Sequence, residues 1–379
     1  MLNFERRFGS MIGVACLIGA LALPERAYSQ SNAFAAQNIT NSANKNARYC
    51  NLGPWNSGWL GPKKQAQSQP AITLSGTDLS YYKANVEPVI TTLYRLNVSA
   101  VREGQVAPLK SYLLSMASKA HFTKVQPWSP QTYYGKKSDW LARYNAFNEP
   151  AFYGAIFLIA AAQSFAILEA HLSPQERQLL SAWGEKVFNA VEGAPDDDKG
   201  VDRKAAKAAG FSSWGLVTSN AKILRAGRTH FRGVIQRDIA PDGRSRFFSN
   251  GFDGVELKYM TMTYGFLTIA ASALETRGEQ GFTFNAGRGS LAQGLEYIIL
   301  RTFNPALRKN IASNQTYMKW KERPRHETAG SWAFFEYTTH SAAAINNIPS
   351  LSKALRLRGG EGFFSGWYGG YTSCLILRQ

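Results

Sequence analysis

The chain is short of cysteine, of charge and of any strong catalytic signature. Of its 379 residues, 3 are Cys and 18% are charged. Three cysteines exclude a disulfide-rich scaffold. No phosphate-binding loop, Gly-x-Ser-x-Gly elbow or cysteine nucleophile motif occurs. The glycine runs Gly287-Arg288-Gly289 and Gly359-Gly360-Glu361-Gly362 lack a strand-to-helix setting and read as turns. The histidines are scattered, with no His-x-x-x-His or carboxylate-triad spacing, so neither a metal nor a cofactor is expected. Sustained alternation of apolar and polar residues is scarce, and no fixed-period repeat is present, which disfavours a regular solenoid.

What is present is apolar, aromatic and basic. Apolar residues make up 45% and aromatics 13%, too much for a disordered chain. The length suits one large domain or two small ones. Lys and Arg number 43 against 26 Asp and Glu, a formal charge of +17. Such an excess points to a polyanionic partner: nucleic acid, an anionic membrane or an acidic polysaccharide.

Residues 1–29 read as a secretory leader. Glu5-Arg6-Arg7 is the charged start and Met11 to Leu23 the apolar run. Ala27-Tyr28-Ser29 places small residues at a cleavage site. The run is short for a membrane anchor. The leader holds three Arg and two Glu, so its removal leaves +16 on the rest. Export makes the expected location periplasmic or secreted. It disfavours nucleic acid, implies no stable membrane insertion once the leader is removed, and makes an anionic polysaccharide the leading partner. An oxidising compartment permits a bridge between Cys50 and Cys374; two separately buried thiols fit equally well. Residues 30–48 are rich in Asn, Ala and Ser and read as a flexible lead-in. The folded domain is expected over 49–379.

From there the periodicity is helical. Ser173-Pro174-Gln175-Glu176 is a capping box with Pro at the first helical position. The helix it opens puts Leu179, Leu180, Trp183, Val187, Phe188 and Val191 on one face, and Gly193 and Pro195 end it. Phe152 to Ala170 is apolar nearly all round. Gln163, Ser164 and Glu169 favour a buried core helix over a membrane span. Further helices are expected over 79–96, 108–119, 212–224, 228–239, 257–276, 290–303 and 331–346. The tail, 370–377, reads as a short strand or a last buried segment. These elements predict an all-α fold, an (α/α) toroid or incomplete barrel of helical hairpins, or else a solenoid.

The most informative stretch is 220–278. A helix ends near Ile239, Pro241-Asp242-Gly243 turns the chain, a basic loop follows, and a helix begins at Leu257-Lys258-Tyr259-Met260-Thr261. This block, with the helix pair over 151–191 and Gly369-Gly370-Tyr371-Thr372, resembles the alginate lyase family of polysaccharide lyases. The resemblance implies an (α/α) toroid and cleavage of a uronate polymer by β-elimination. In that reaction a base removes the proton beside the carboxylate, the carboxylate is neutralised by cations or amides, and an acid protonates the departing sugar oxygen. Arg and Lys can supply the positive charge without a metal.

On this reading Tyr259 is the acid, or acid and base together, and Lys258 lies beside it. Packing on an apolar face with Met262 and Phe266 is the competing role. The family's Asn-Asn-His counts onto Asp202-Arg203-Lys204, a departure from its pattern. Arg203 would then neutralise the carboxylate and Lys204 act as base; a solvated charged loop after Asp196-Asp197-Asp198-Lys199 is the competing reading. The family's arginine counts onto Phe252, so Arg244 or Arg246 would substitute. A basic aromatic loop, Lys319 to Glu327, offers Trp320 to stack on a sugar, Arg325 to hold a carboxylate and His326 as an alternative base. Asn148-Glu149-Pro150 resembles the Asn-Glu-Pro of TIM-barrel glycosidases, where it ends a strand. Here Glu149 reads more simply as a helix N-terminal residue favoured by the dipole. Hydrolysis would need a carboxylate pair such as Asp242 or Glu256 with Glu327. A non-catalytic exopolysaccharide-binding protein and a membrane-surface protein are the rival classes.

Overall fold

The computed structural model describes residues 72, 74, 82–126, 139–194, 200–247, 256–304, 307, 332–356, 365–370 and 372–375. The expected leader, the lead-in, and Trp320, Arg325 and His326 lie outside them.

The described residues form successive helical hairpins. After a π-helical turn, Tyr82–Val86, α1 (Glu87–Glu103) folds back onto α2 (Val106–Ser118). Gly104 in the left-handed region closes α1, a conformation that costs glycine nothing. α3 (Asp139–Leu168) pairs with α4 (Pro174–Glu192), α5 (Val201–Val217) with α6 (Ala221–Asp238), and α7 (Glu256–Thr276) with α8 (Leu291–Phe303). A 3-10 helix, Ala333–His340, and the short helices α9 (Ala342–Asn347), α10 (Leu351–Leu355) and α11 (Thr372–Leu375) complete the chain.

Burial separates two layers. α5, α7 and the described side chains of α3 are buried almost throughout, whereas α2, α4 and α6 keep an exposed face. The first three, with α1, are the inner helices. α3 packs on α1 and α5, and α5 packs on α7. The ring closes through the 3-10 helix, which packs on α7, and α11, which packs on both the 3-10 helix and α1. The fold is thus an all-α (α/α) toroid. Isolated β-bridges are the only β pairing among the described residues.

The inner helices approach closely because their sequences are small. A methyl group on Gly210 of α5 would sit 2.4 Å from the Ala155 carbonyl oxygen of α3. Around this crossing Phe165, Trp183 and Trp214 pack edge to face at 5.6 and 6.2 Å, and Phe157 joins Trp183 at 5.6 Å. The apolar window of α3 would be long enough for a bilayer, yet all of it is buried inside the ring.

Several boundaries differ from the sequence expectation. The capping box at Ser173 and Glu176 forms, but Leu179 is 42% exposed and lies off the buried face. The helix expected over 212–224 is two helices. Ser219 turns at φ 53°, and the Asn220 side chain accepts from the Lys222 and Ile223 amides to start α6. The stretch expected as one helix over 331–346 is a 3-10 helix followed by α9, with Ser341 capping the second. The tail is a buried helical turn, not a strand, and Cys374 in it is disulfide-bonded. Its partner cysteine lies outside the described residues.

Candidate active site at one end of the inner helices

Three contacts fix the direction of the inner helices. Arg203 meets Glu149, Gly210 meets Ala155, and Trp214 meets Phe165, so α5 runs parallel to α3. α6 returns antiparallel, with Gly227 on Ser212 and Gly215 on Leu224. α7 reverses again. Arg228 and Arg232 of α6 reach Glu279 beyond the end of α7, while the turn after α6 docks on Tyr264 in its first half. The first turns of α5 and α7 and the Glu149 turn of α3 therefore share one end of the ring. The amino-terminal ends of α5 and α7 both add positive potential there.

At that end sits an unusual buried cluster. Arg203 donates from one terminal nitrogen to Asp202 and from the other to Glu149, and its guanidinium lies 5.0 Å from the centre of the Phe152 ring. Its side chain is 16% exposed, and those of Asp202 and Glu149 are 6% and 7%. Burial pushes the Asp202 carboxyl up to about 7, against backbone N–H bonds that hold it down. One guanidinium thus compensates two carboxylates, one of which titrates near neutrality.

This placement corrects two expectations. Asp202, Arg203 and Lys204 do not form a solvated loop; they stand in the first turn of an inner helix, Asp202 and Lys204 buried and Arg203 partly so. Glu149 is not at a helix start. It lies eleven residues into α3, ahead of Pro150, and its carboxylate is bound to α5.

Lys204 is buried on α5, as is Lys207 one turn later. The Lys207 ammonium is 3.9 Å from Glu192, which also takes His230 Nε2 at 2.8 Å. Burial raises the Glu192 carboxyl, but the His230 hydrogen bond and the His230 and Lys207 charges outweigh it and hold it below the ordinary carboxylate range.

Tyr259 is the fourth residue of α7, half-buried against the core, and the Lys258 ammonium lies 5.6 Å from its ring centre. The turn after α6 is braced by hydrogen bonds. Asp238 accepts from Ser245 Oγ at 2.7 Å and from the Phe247 amide at 2.9 Å, and Tyr264 donates to the Gly243 carbonyl. Burial raises the Asp238 carboxyl, and the charge of Arg246 is among the influences opposing it. Arg246 is half-buried; Arg244 is exposed, 3.9 Å from Asp242.

The structure therefore brings Arg203 together with Glu149 and Asp202, and Lys258 with Tyr259. It sets Arg244 on the exposed turn. Phe252, Glu327 and the 319–327 loop lie outside the described residues. The Glu149 partnership, Lys207 and Phe152 escaped the sequence reading. A signal for the burial of 202–207 was present: Ala205-Ala206 and Ala208-Ala209-Gly210 form a run of small residues that only a tightly packed helix needs.

The same ring occurs in solved structures. Alginate lyase A1-III from Sphingomonas species A1 superposes with a TM-score of 0.62 over 92% of this chain and 97% of its own, at 14% identity. The chain has an alginate lyase-like fold. A tyrosine-to-phenylalanine variant of that lyase, complexed with a tetrasaccharide, matches with a TM-score of 0.62 over 92% of this chain and 96% of its own, at 13% identity. A histidine-to-alanine variant without ligand matches at 0.61 and 14% over the same shares. No protein-family model matches the chain, and no curated protein matches it by sequence. At this identity the likeness is one of fold.

Proposed function

We propose that the chain is an exported polysaccharide lyase that cleaves a uronic-acid-containing, alginate-like or glucuronan-like polymer by β-elimination. The observation that carries the reading is the position of Tyr259. It stands in the first turn of inner helix α7, at the end where α5 buries Arg203, on a toroid shared with alginate lyases.

In this mechanism the base takes the proton from the carbon beside the uronate carboxylate. The bond to the 4-linked oxygen breaks, a carbon–carbon double bond forms, and Tyr259 gives its proton to the departing oxygen. Lys204, His326 and Tyr259 itself remain the alternatives for the base. Arg203, Arg244, Arg246, Lys258 and Arg325 are the cations for the polymer, and Trp320 the stacking ring. Arg203 is compensated at rest. It gains capacity for a substrate carboxylate when Asp202 holds a proton, because a third carboxylate beside two ionised ones is repelled.

The test is incubation of residues 30–379 with polymannuronate, polyguluronate, glucuronan and hyaluronan, following the ultraviolet absorbance of unsaturated uronates. A rise with one polymer is expected. New reducing ends without that absorbance would mean hydrolysis, for which Glu149 and Asp202 form a buried carboxylate pair that the sequence did not reveal. Salt-sensitive binding without any turnover would mean the non-catalytic binding protein, the reading favoured by Asp202-Arg203-Lys204 standing where the family has Asn-Asn-His.

A further inference from the structure

The closing segment of the ring holds one aromatic ring differently from the rest. Residues 365–370 form a tight turn in which the Ser365 and Gly370 backbones exchange hydrogen bonds of 2.8 Å. Gly369 and Gly370, at φ 103° and 72°, allow it. Every neighbour of Trp367 in the turn is tied down. Tyr94 reaches the Gly366 carbonyl at 3.4 Å. Tyr337 donates to the Tyr368 carbonyl at 2.9 Å and is itself held by Gln163 at 3.1 Å. The Tyr368 ring enters the core between Phe266 and Phe334, at 5.1 and 5.4 Å.

Trp367 itself stays half-buried, its amide on Ser365 Oγ at 3.2 Å. Its ring meets Phe152 edge to face at 6.0 Å. The same Phe152 ring carries the Arg203 guanidinium. A partly accessible indole on a braced backbone turn therefore stands one ring away from the cation of the candidate site. A flat apolar face near a guanidinium is chemistry that suits an acidic pyranose: the ring stacks through its C–H face, and the carboxylate meets the Arg203 charge that Asp202 releases when it holds a proton.

We propose that Trp367 is a sugar-stacking residue of this site, holding an acidic pyranose next to the one that reacts. The proposal rests on the lyase reading for the word "reacts" but not for the binding. The turn supplies preorganisation, since its backbone needs no ordering when ligand arrives.

The test is calorimetric titration of the full chain with tetrasaccharides of mannuronate, guluronate and glucuronate, and cellotetraose as the neutral control. Wild type, Trp367→Phe and Trp367→Leu are compared, the last keeping apolar packing on Phe152 without a flat ring. One acidic tetrasaccharide is expected to bind and cellotetraose not to. Trp367→Leu should weaken binding roughly tenfold, and Trp367→Phe should recover most of it. Equal affinity in Trp367→Leu and wild type overturns the proposal, and so does a wild type that binds none of the acidic probes. Turnover separates the two readings. If wild type cleaves, the Trp367→Leu loss should fall mainly in KM. If wild type binds through Trp367 without cleaving, the lyase reading fails and the stacking role stands.

Discussion

The two halves of α5 are buried alike by opposite means. The second half, Ala208 to Leu216, is small residues with Phe211, Trp214 and Leu216, and its burial is close packing against α3 and α6. The first half buries Asp202, Lys204 and Lys207 and the larger part of Arg203. Burying charge costs free energy unless partners are supplied, and replacing such a cluster with apolar residues is often neutral or stabilising. A fold that needed only stability has no reason to keep Arg203 between two carboxylates. A carboxyl raised as far as that of Asp202, beside a shared guanidinium at one end of a helix ring, marks a candidate place for chemistry.

The largest effects should come from breaking each half in its own way. Trp214→Ala should cost about 3–5 kcal/mol by urea denaturation, the same at pH 8 and pH 5, because only packing is lost. Arg203→Ala should cost a comparable amount at pH 8, about 3–5 kcal/mol, because it strands two buried carboxylates. At pH 5 the cost should be clearly smaller, with Asp202 protonated. A pH-independent penalty at Arg203 would erase the distinction between the halves.

Asp202→Asn should act more mildly and with the opposite sign. The folded-state carboxyl is raised to about 7 from an ordinary 3.8. The folded state therefore binds the proton more tightly, and stability falls as pH rises from about 4 through 7. Removing the ionisation should raise the melting temperature at pH 8 and leave it nearly unchanged at pH 4. The same variant should flatten any rise in KM for an acidic polymer above pH 7.

The smallest expected effect lies away from the cluster. Buried His121 accepts the Ile72 amide on Nδ1 at 2.8 Å, pinning the chain before α1. Burial, aided by the Lys119 charge, lowers its pKa to about 4 from 6.5. Here stability is present above pH 6.5 and lost as pH falls through 4. Amide exchange at Ile72, corrected for intrinsic rate, should speed up over that window while amides of α5 stay protected. Asp202 and His121 thus drive stability in opposite directions across the same pH range.

Much of the fold was legible because its signals are local. The Ser173 capping box, the all-round apolar run of α3 and the Asp242-Gly243 turn each declare themselves within a few residues. What was not legible depends on distance. Glu149 and Arg203 are 54 residues apart, so neither shows that the other will neutralise it, and each read as solvated or dipole-favoured. The break at Ser219 was hidden because residues on both sides are helix-compatible, and only the Asn220 cap separates them. The 3-10 helix Ala333–His340 packs on α7, a long-range partner that no local period announces.

In the proposed elimination at the shared end of α5 and α7, Tyr259 supplies the proton to the departing oxygen. The most direct measurement is the initial rate of ultraviolet absorbance on the best polymer, for wild type and Tyr259→Phe, with both melting temperatures recorded. Melting should be unchanged in Tyr259→Phe and the rate lower by about 10²–10⁴-fold, the range for losing a general acid or base. A Tyr259→Phe protein that cleaves at the wild-type rate would contradict this role.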